Sequence, residues 1–190
     1  MFKEIKEGFL FTLVTLVLFG LVYPLLVWGV GRIVFPRKAE GSFIRKADGT
    51  IMGSELVGQA FTQPEYFHGR PSGVDYNAAS TGGTNYGPSN PDHLAAVQER
   101  AAAIVEREGV SLDEIPSDLV TASGGGLDPH ISPASALIQV ERVARERRIA
   151  PDRVRELVEA HTEGAALGFL GRPRVNVLRL NLALDEETNP

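Results

Sequence analysis

Residues Gly8 to Gly31 (GFLFTLVTLVLFGLVYPLLVWGVG) carry no charged side chain over about 24 positions, and this run constrains the fold more than any other feature. A helix rises about 1.5 Å per residue, so a run of this length crosses roughly 30 Å of hydrocarbon with some tilt. A cleaved signal peptide is the competing reading. It is disfavoured because the run is about twice the usual signal core and no small-x-small cleavage site follows it. Tyr23 and Trp28 lie toward its C-terminal end, with Arg32, Arg37 and Lys38 close behind, as expected where a helix leaves the bilayer. Pro24 removes one backbone donor and predicts a kink. Thr12, Thr15, Gly20 and Gly29 supply small or hydroxyl side chains that let a neighbouring helix approach. Charge bias sets Lys3, Lys6 and the terminal amine before the span against Arg32, Arg37, Lys38, Arg45 and Lys46 after it. Taken alone, that count places the larger part of the chain in the cytoplasm.

Two parts are expected: residues 1–38 as N-terminal tip, span (about 8–31) and juxtamembrane segment, and residues 39–190 as one soluble α+β domain. With five cations and two acids set aside before Ala39, the domain keeps 14 Lys and Arg against 22 Asp and Glu, a net charge of −8. An acidic surface of this kind argues against nucleic acid as a partner. The chain has no cysteine, which removes disulfides, thiolate nucleophiles and cysteine-based zinc sites. His68, His93, His130 and His161 lack the i, i+4 spacing that would set two ligands on one helix face, so no metal site is expected.

Gly41 to Phe61 reads as a hairpin-like opening around an Asp48-Gly49 turn. Gln63 to Pro91 is rich in Gly, Pro, Ser, Asn and Tyr without a sustained period, too long for a passive connection and too aromatic for a disordered linker. Asp92 to Glu108 predicts an amphipathic helix opened by Pro91 or Asp92 and stopped by Gly109. Ile115 to Ser132 reads as a second irregular stretch. A helix is then expected from the Ser132 cap to about Arg148, with Ala136, Val140 and Val143 inward and Glu141 paired to Arg145. Another helix follows from Pro151 to His161. Arg174 to Leu184 (RVNVLRLNLAL) alternates so that Asn176, Leu178, Leu180, Leu182 and Leu184 share one face, the pattern of a strand.

The most suggestive local chemistry is Thr121 to His130 (TASGGGLDPH), a glycine run shortly before a helix start. Freed backbone amides at Ser123, Gly124, Gly125 and Gly126, with Asp128 beside them, make a candidate anion or nucleotide contact. No Lys-Ser or Lys-Thr follows the glycines and G-x-G-x-x-G is absent, so neither phosphate-binding fingerprint is present. Ser123, His130 and Asp128 are the residue types of a hydrolytic triad, but they crowd together and lack G-x-S-x-G. Asp118, Asp128 and Glu55 are candidate paired carboxylates, although lone carboxylates beside Ser, Thr and Gly more often cap turns. No catalytic set emerges.

Six segments taken together carry a resemblance: Gly53 to Phe61 (GSELVGQAF), Pro64 to Pro71 (PEYFHGRP), Tyr76 to Asn85 (YNAASTGGTN), Pro116 to Pro133 (PSDLVTASGGGLDPHISP), Gln139 to Ala144 (QVERVA) and Gly171 to Leu184 (GRPRVNVLRLNLAL). In this order they resemble the KdpC family of subunits, which belong to the bacterial potassium-transporting P-type ATPase, the Kdp pump, over nearly the whole chain. The resemblance implies a non-catalytic, accessory subunit of the bacterial plasma membrane. Its implied partners are a potassium-channel-like subunit, an ATP-hydrolysing P-type subunit and a small membrane subunit. It implies no cofactor of its own, with ATP reached through the hydrolysing partner, and a part that assembles or stabilises the complex and acts as a catalytic chaperone raising ATP affinity; a cap near the ion entrance is the alternative mechanism for a domain outside the cytoplasm. It also implies a cytoplasmic N-terminus and an extracytoplasmic domain, against the charge count. Family members commonly read Ser-Gly-Ser-Gly where this chain has Ser123 to Gly126 (SGGG), which weakens roles that need the second serine. Gln59, Phe61, Tyr66, Phe67, Arg70, Tyr76, Asn77 and Asn85 are the candidate partner contacts. The rival reading is a membrane-anchored solute-binding or sensor domain acting alone.

Overall fold

The structure is a computed structural model that describes residues 2–46 and 48–188. The chain separates into two compact units, residues 1–52 and residues 53–190.

In the first unit, α1 (Phe2–Val17), a π-helical turn (Leu18–Val22) and α2 (Tyr23–Val34) form one run of 33 residues, long and apolar enough to cross a membrane. The π turn ends at Val22, two residues before Pro24. Tyr23 N–H donates to Leu18 O, five residues back, so the widened turn accommodates the ring that would crowd the preceding carbonyls in a regular helix. Thr12 and Thr15 donate their hydroxyls to the carbonyls of Gly8 and Phe11, both at 2.9 Å. A short α3 (Pro36–Ala39) leads to β1 (Phe43–Arg45) and β2 (Ile51–Ser54), which pair as the expected hairpin. Asp48 Oδ1 accepts from Thr50 N at 2.8 Å, and Gly49 takes φ +85° in the turn.

The second unit packs helices around a small antiparallel sheet of order β3-β5-β4, formed by β3 (His130–Ile131), β4 (Thr162–Glu163) and β5 (Arg174–Asn176). The register sets His130 opposite Asn176 and Thr162 opposite Val175. The core comprises Phe67, Ile104, Leu119, Ile131, Val140, Val143, Val154, Val158, Val175, Leu180 and Leu184 with their neighbours. This is the mixed helix and sheet architecture that the α+β reading expects. The helix α4 (Pro91–Glu108) is capped by the Asn90 side chain, which accepts from Asp92 N and His93 N, so the opener lies one residue before the expected Pro91 or Asp92. Gly109 ends it at φ +72°, a left-handed conformation that glycine adopts without steric cost. The stretch from Ile115 to Ser132, expected to be irregular, contains α5 (Ser117–Val120) and β3. The helix α8 (Pro151–Ala160) lies where the sequence placed it.

Three expectations are corrected. The helix from Ser132 to Arg148 is broken into α6 (Pro133–Leu137) and α7 (Val140–Arg147). The break falls at Gln139, whose side chain is wholly buried and bonded to a distant segment rather than to solvent. The Glu141 to Arg145 pair gives way to Arg155 with Glu141 at 3.6 Å and Arg145 with Glu146 at 3.2 Å. The strand Arg174 to Leu184 ends at Asn176, and α9 (Val177–Thr188) follows. Asn176 Oδ1 accepts from Arg179 N at 3.1 Å and caps this helix. The buried positions Val177, Leu180, Asn181 and Leu184 have helical spacing. The alternation of leucines is real, but Asn181, which a strand would turn away from the leucine face, points into the core.

Candidate functional site

Between β2 and α4 the chain runs for more than thirty residues without a helix or strand, yet Phe67 in its middle is fully buried. Buried backbone N–H and C=O groups need partners, and here side chains from distant elements supply them. Asn181 accepts from Phe67 N at 2.8 Å and donates to Phe67 O at 3.0 Å. Gln139 does the same for the next residue, accepting from His68 N at 2.8 Å and donating to His68 O at 3.2 Å. Two amide side chains thus replace the neighbouring strand that this segment lacks.

Arg142 adds a third clamp. Its guanidinium donates to Pro64 O, to Tyr66 O at 2.9 Å and to Gln139 Oε1 at 2.8 Å, while its Nε donates to the Glu108 carboxylate at 3.0 and 3.1 Å. Both charges are buried, the Arg142 side chain at 2% exposure and Glu108 at 0%. Burial pulls the Arg142 pKa down from its ordinary value, and the Glu108 charge partly restores it. Arg147 holds the near side, donating to Glu65 O at 2.7 Å and Asp185 at 2.8 Å, with its guanidinium 4.7 Å from the Tyr66 ring centre. His68 is neutral at physiological pH: burial lowers its pKa to about 4, outweighing the bond to Gln63 O.

The glycine run closes the platform from the other side. Ser123 N donates to Pro71 O at 3.1 Å, Gly82 N to Gly125 O at 3.2 Å, Gly58 N to Leu127 O at 2.8 Å and Ser72 Oγ to Gly126 O at 2.7 Å. Gly126 has φ +70°, and a Cβ there would lie 2.5 Å from Val74 Cγ2 and 2.9 Å from Gly82 O. Glycine is required at this position for close approach. Ser72 Oγ also accepts from Val74 N and Tyr76 N, fixing Asp75 and Tyr76 in consecutive left-handed conformations at φ +51° and +56°.

Among the sequence-chosen residues, Gln59, Phe61, Tyr76 and Asp128 converge on a cavity of about 10 Å³, the size of one water molecule. Arg70 joins them through Asp128 at 3.0 Å. Burial alone would raise the Asp128 pKa, but hydrogen bonds from the His130 side chain and backbone and from Arg70 hold it down to about 2. The Phe61 ring packs tilted against Tyr66 with centroids 5.5 Å apart, Phe67 belongs to the core, and Ser123 is buried beside exposed Gly124 and Gly125. Asn77 closes a turn by accepting from Ala79 N, and Asn85 is exposed at φ +53°, apart from the convergent group. Asp118 accepts from the Ser132 amide and the Ser132 and Ser135 hydroxyls, and Glu55 accepts from Arg179. Both carboxylates serve as anchors.

Sequence reasoning misses Ser72, Gln139, Arg142 and Asn181 as site residues. The available signal was polar side chains at helix positions that otherwise read as core: Ser135, Gln139 and Arg142 at i, i+4, i+7, and Asn181 between Leu180 and Leu184.

A wider cleft of about 260 Å³ opens beside the platform. Arg70, Arg100 and Arg107 line it together with Phe61, Ile104 and Leu119. Arg70 Nε, among the described residues, is a buried donor without an acceptor.

These features define a class: an α+β domain following a membrane-spanning-type helix, with its irregular segments locked into an ordered surface. The family described as KdpC, the K+-transporting ATPase c chain, matches residues 5–186. The chain belongs to this family. It is 51% identical over 186 residues to the potassium-transporting ATPase KdpC subunit of Caldanaerobacter subterraneus subsp. tengcongensis, covering 97% of this chain and 96% of the relative. The subunit of the same name from Methylococcus capsulatus is 50% identical over 188 residues, 97% of this chain and 98% of the relative. That from Geobacter sulfurreducens is 48% identical over 186 residues, 96% and 97%.

Proposed function

We propose that this chain is an accessory, non-catalytic subunit of a high-affinity, ATP-driven potassium-uptake complex, which it assembles and stabilises. The observation that carries the reading is identity of about half the residues, over nearly the full length, to proteins named as the KdpC subunit of a potassium-transporting ATPase. Its partners are the potassium-channel-like subunit, the ATP-hydrolysing P-type subunit and the small membrane subunit of that complex. A tip on the second unit supports a role in assembly. Leu167, Phe169 and Leu170 are 82%, 75% and 52% exposed around a turn in which Leu167 takes φ +55°. Clustered apolar exposure of this kind suits a surface that is covered in a complex.

The N-terminus is read as cytoplasmic and the domain as extracytoplasmic. That favours a cap near the ion entrance over direct action on ATP. The packing of the glycine run supports the same preference: the Ser123 and Gly126 amides already donate to Pro71 O and Ser123 O.

Purification of the tagged chain from gently solubilised native membranes tests the assembly reading. Co-purification with large membrane proteins that carry potassium-stimulated ATPase activity is the expected result; a stable lone monomer would favour a free-standing binding or sensor domain. Orientation is read from Ser89→Cys, at an exposed position of a chain without other cysteines. Labelling by a membrane-impermeant thiol reagent on intact cells is expected. Labelling only after lysis would restore the ATP-chaperone reading of Ser123 to Gly126.

A further inference from the structure

The arginine-lined cleft is a large feature of the second unit that the clamped platform does not explain. Among the described residues its wall includes Arg70, Arg100 and Arg107 and no Asp or Glu, although the chain holds 24 Asp and Glu against 19 Lys and Arg. Such local reversal of charge marks a surface for an anionic partner.

The cations are arranged at two ends. Arg100, Ala103, Ile104 and Arg107 all line the cleft from α4, at the i, i+3, i+4 and i+7 spacing of one helix face. Seven residues of helix separate Arg100 from Arg107 by about 10 Å. Arg70 is gathered to the Arg100 end, because Arg100 donates to Val120 O at 3.1 Å and Arg70 to Thr121 O at 3.5 Å, on consecutive carbonyls. Between the two ends lie Ile104, Leu119 and Phe61. Neutralisation from within the protein is incomplete. Asp128 takes Arg70, while the single charge of Glu108 is shared by Arg107 at 2.7 Å and Arg142 at 3.0 Å.

We infer that this cleft receives an extended acidic segment of a partner protein, with two carboxylates four residues apart and an apolar side chain midway between them. Side chains of an extended chain alternate between faces, so residues i, i+2 and i+4 point the same way; at about 3.3 Å per residue the outer two lie about 13 Å apart, within reach of the long arginine side chains at the two cationic ends. The apolar floor takes the intervening side chain. The inference rests on the assembly reading above and supplies one of its contacts.

The test uses the full-length chain in detergent and a fluorescent peptide with glutamate at its first and fifth positions and leucine at its third. A peptide with glutamine at both positions is the control. The acidic peptide is expected to bind, the control to bind at least tenfold more weakly, and both Arg107→Gln and Arg100→Gln to weaken the acidic peptide at least tenfold. Arg107→Gln leaves Glu108 paired with Arg142, so the fold survives, which a thermal melt verifies. Equal binding by the variants would overturn the inference. So would binding of inorganic phosphate with the same arginine dependence but no peptide binding, which would make the cleft a small oxyanion site. Co-purification separates this failure from failure of the assembly reading. Partners retained by the wild-type chain, with peptide binding unchanged by Arg107→Gln and Arg100→Gln, overturn the cleft inference and leave assembly standing, whereas loss of partners by the wild-type chain overturns both.

Discussion

The N-terminal helix and the platform around Phe67 face the same physical demand and meet it in opposite ways. Each must satisfy backbone polar groups away from water. The helix does so locally, residue by residue, and bridges the missing donor of Pro24 with one π turn. The segment from Pro64 to Ser72 does so at a distance, through Asn181, Gln139, Arg142 and Arg147. Locally satisfied structure tolerates single changes; structure satisfied by a few distant side chains concentrates its stability in them.

The largest expected effect comes from Arg142→Ala. It leaves the buried Glu108 carboxylate to Arg107 alone and strips the carbonyls of Pro64 and Tyr66 of their buried donor, at a cost of about 3–5 kcal/mol from the unpaired carbonyls and the weakened buried pair together. Denaturant titration of the full chain in detergent would show this as a large drop in midpoint; a loss within about 1 kcal/mol would break the contrast. Gly126→Ala forces a side chain into a left-handed site and against Val74 and Gly82. A loss of about 2–4 kcal/mol is expected from strain and overlap together, read in the same titration.

Acid supplies a third probe. The folded pKa of His68 is lowered to about 4 from 6.5, so the folded state binds fewer protons than the unfolded chain between those values. Stability from this group is complete above pH 6.5 and falls as pH drops from 6.5 to 4, by about 1–2 kcal/mol after allowance for its partial exposure. In His68→Gln, thermal melts across that window should lose this part of the pH slope. The smallest effect is expected in the helix. Thr12 only returns its hydroxyl to Gly8 O, so Thr12→Val should shift stability by under about 0.5 kcal/mol.

The same contrast governs how much was legible in the sequence. The span, the Asp48-Gly49 hairpin, α4 and α8 rest on local signals such as apolar runs, caps and helix-stop glycine. The platform does not. Nothing near Phe67 in the chain announces that Asn181, more than a hundred residues later, holds its amide and carbonyl. The strand reading of Arg174 to Leu184 fails for the same reason. In an alternating pattern Asn181 falls opposite the leucines and reads as solvent-facing, whereas its burial shows the helical period. Gln59, Phe61, Arg70 and Tyr76 are singled out beside the segment resemblance and Asp128 beside the glycine run, but their convergence depends on the fold, and Arg100 and Arg107 sit on a helix face that reads only as solvated charge.

Hydrogen exchange at the Phe67 and His68 amides tests the distant-clamp account most directly, comparing the full-length chain with Asn181→Ala. The account predicts that the wild-type amides exchange as slowly as those of the core helix α7, that Asn181→Ala speeds Phe67 by at least tenfold, and that residues 9–22 are unchanged. Slow exchange at Phe67 in Asn181→Ala, with the rest of the domain folded, would contradict it.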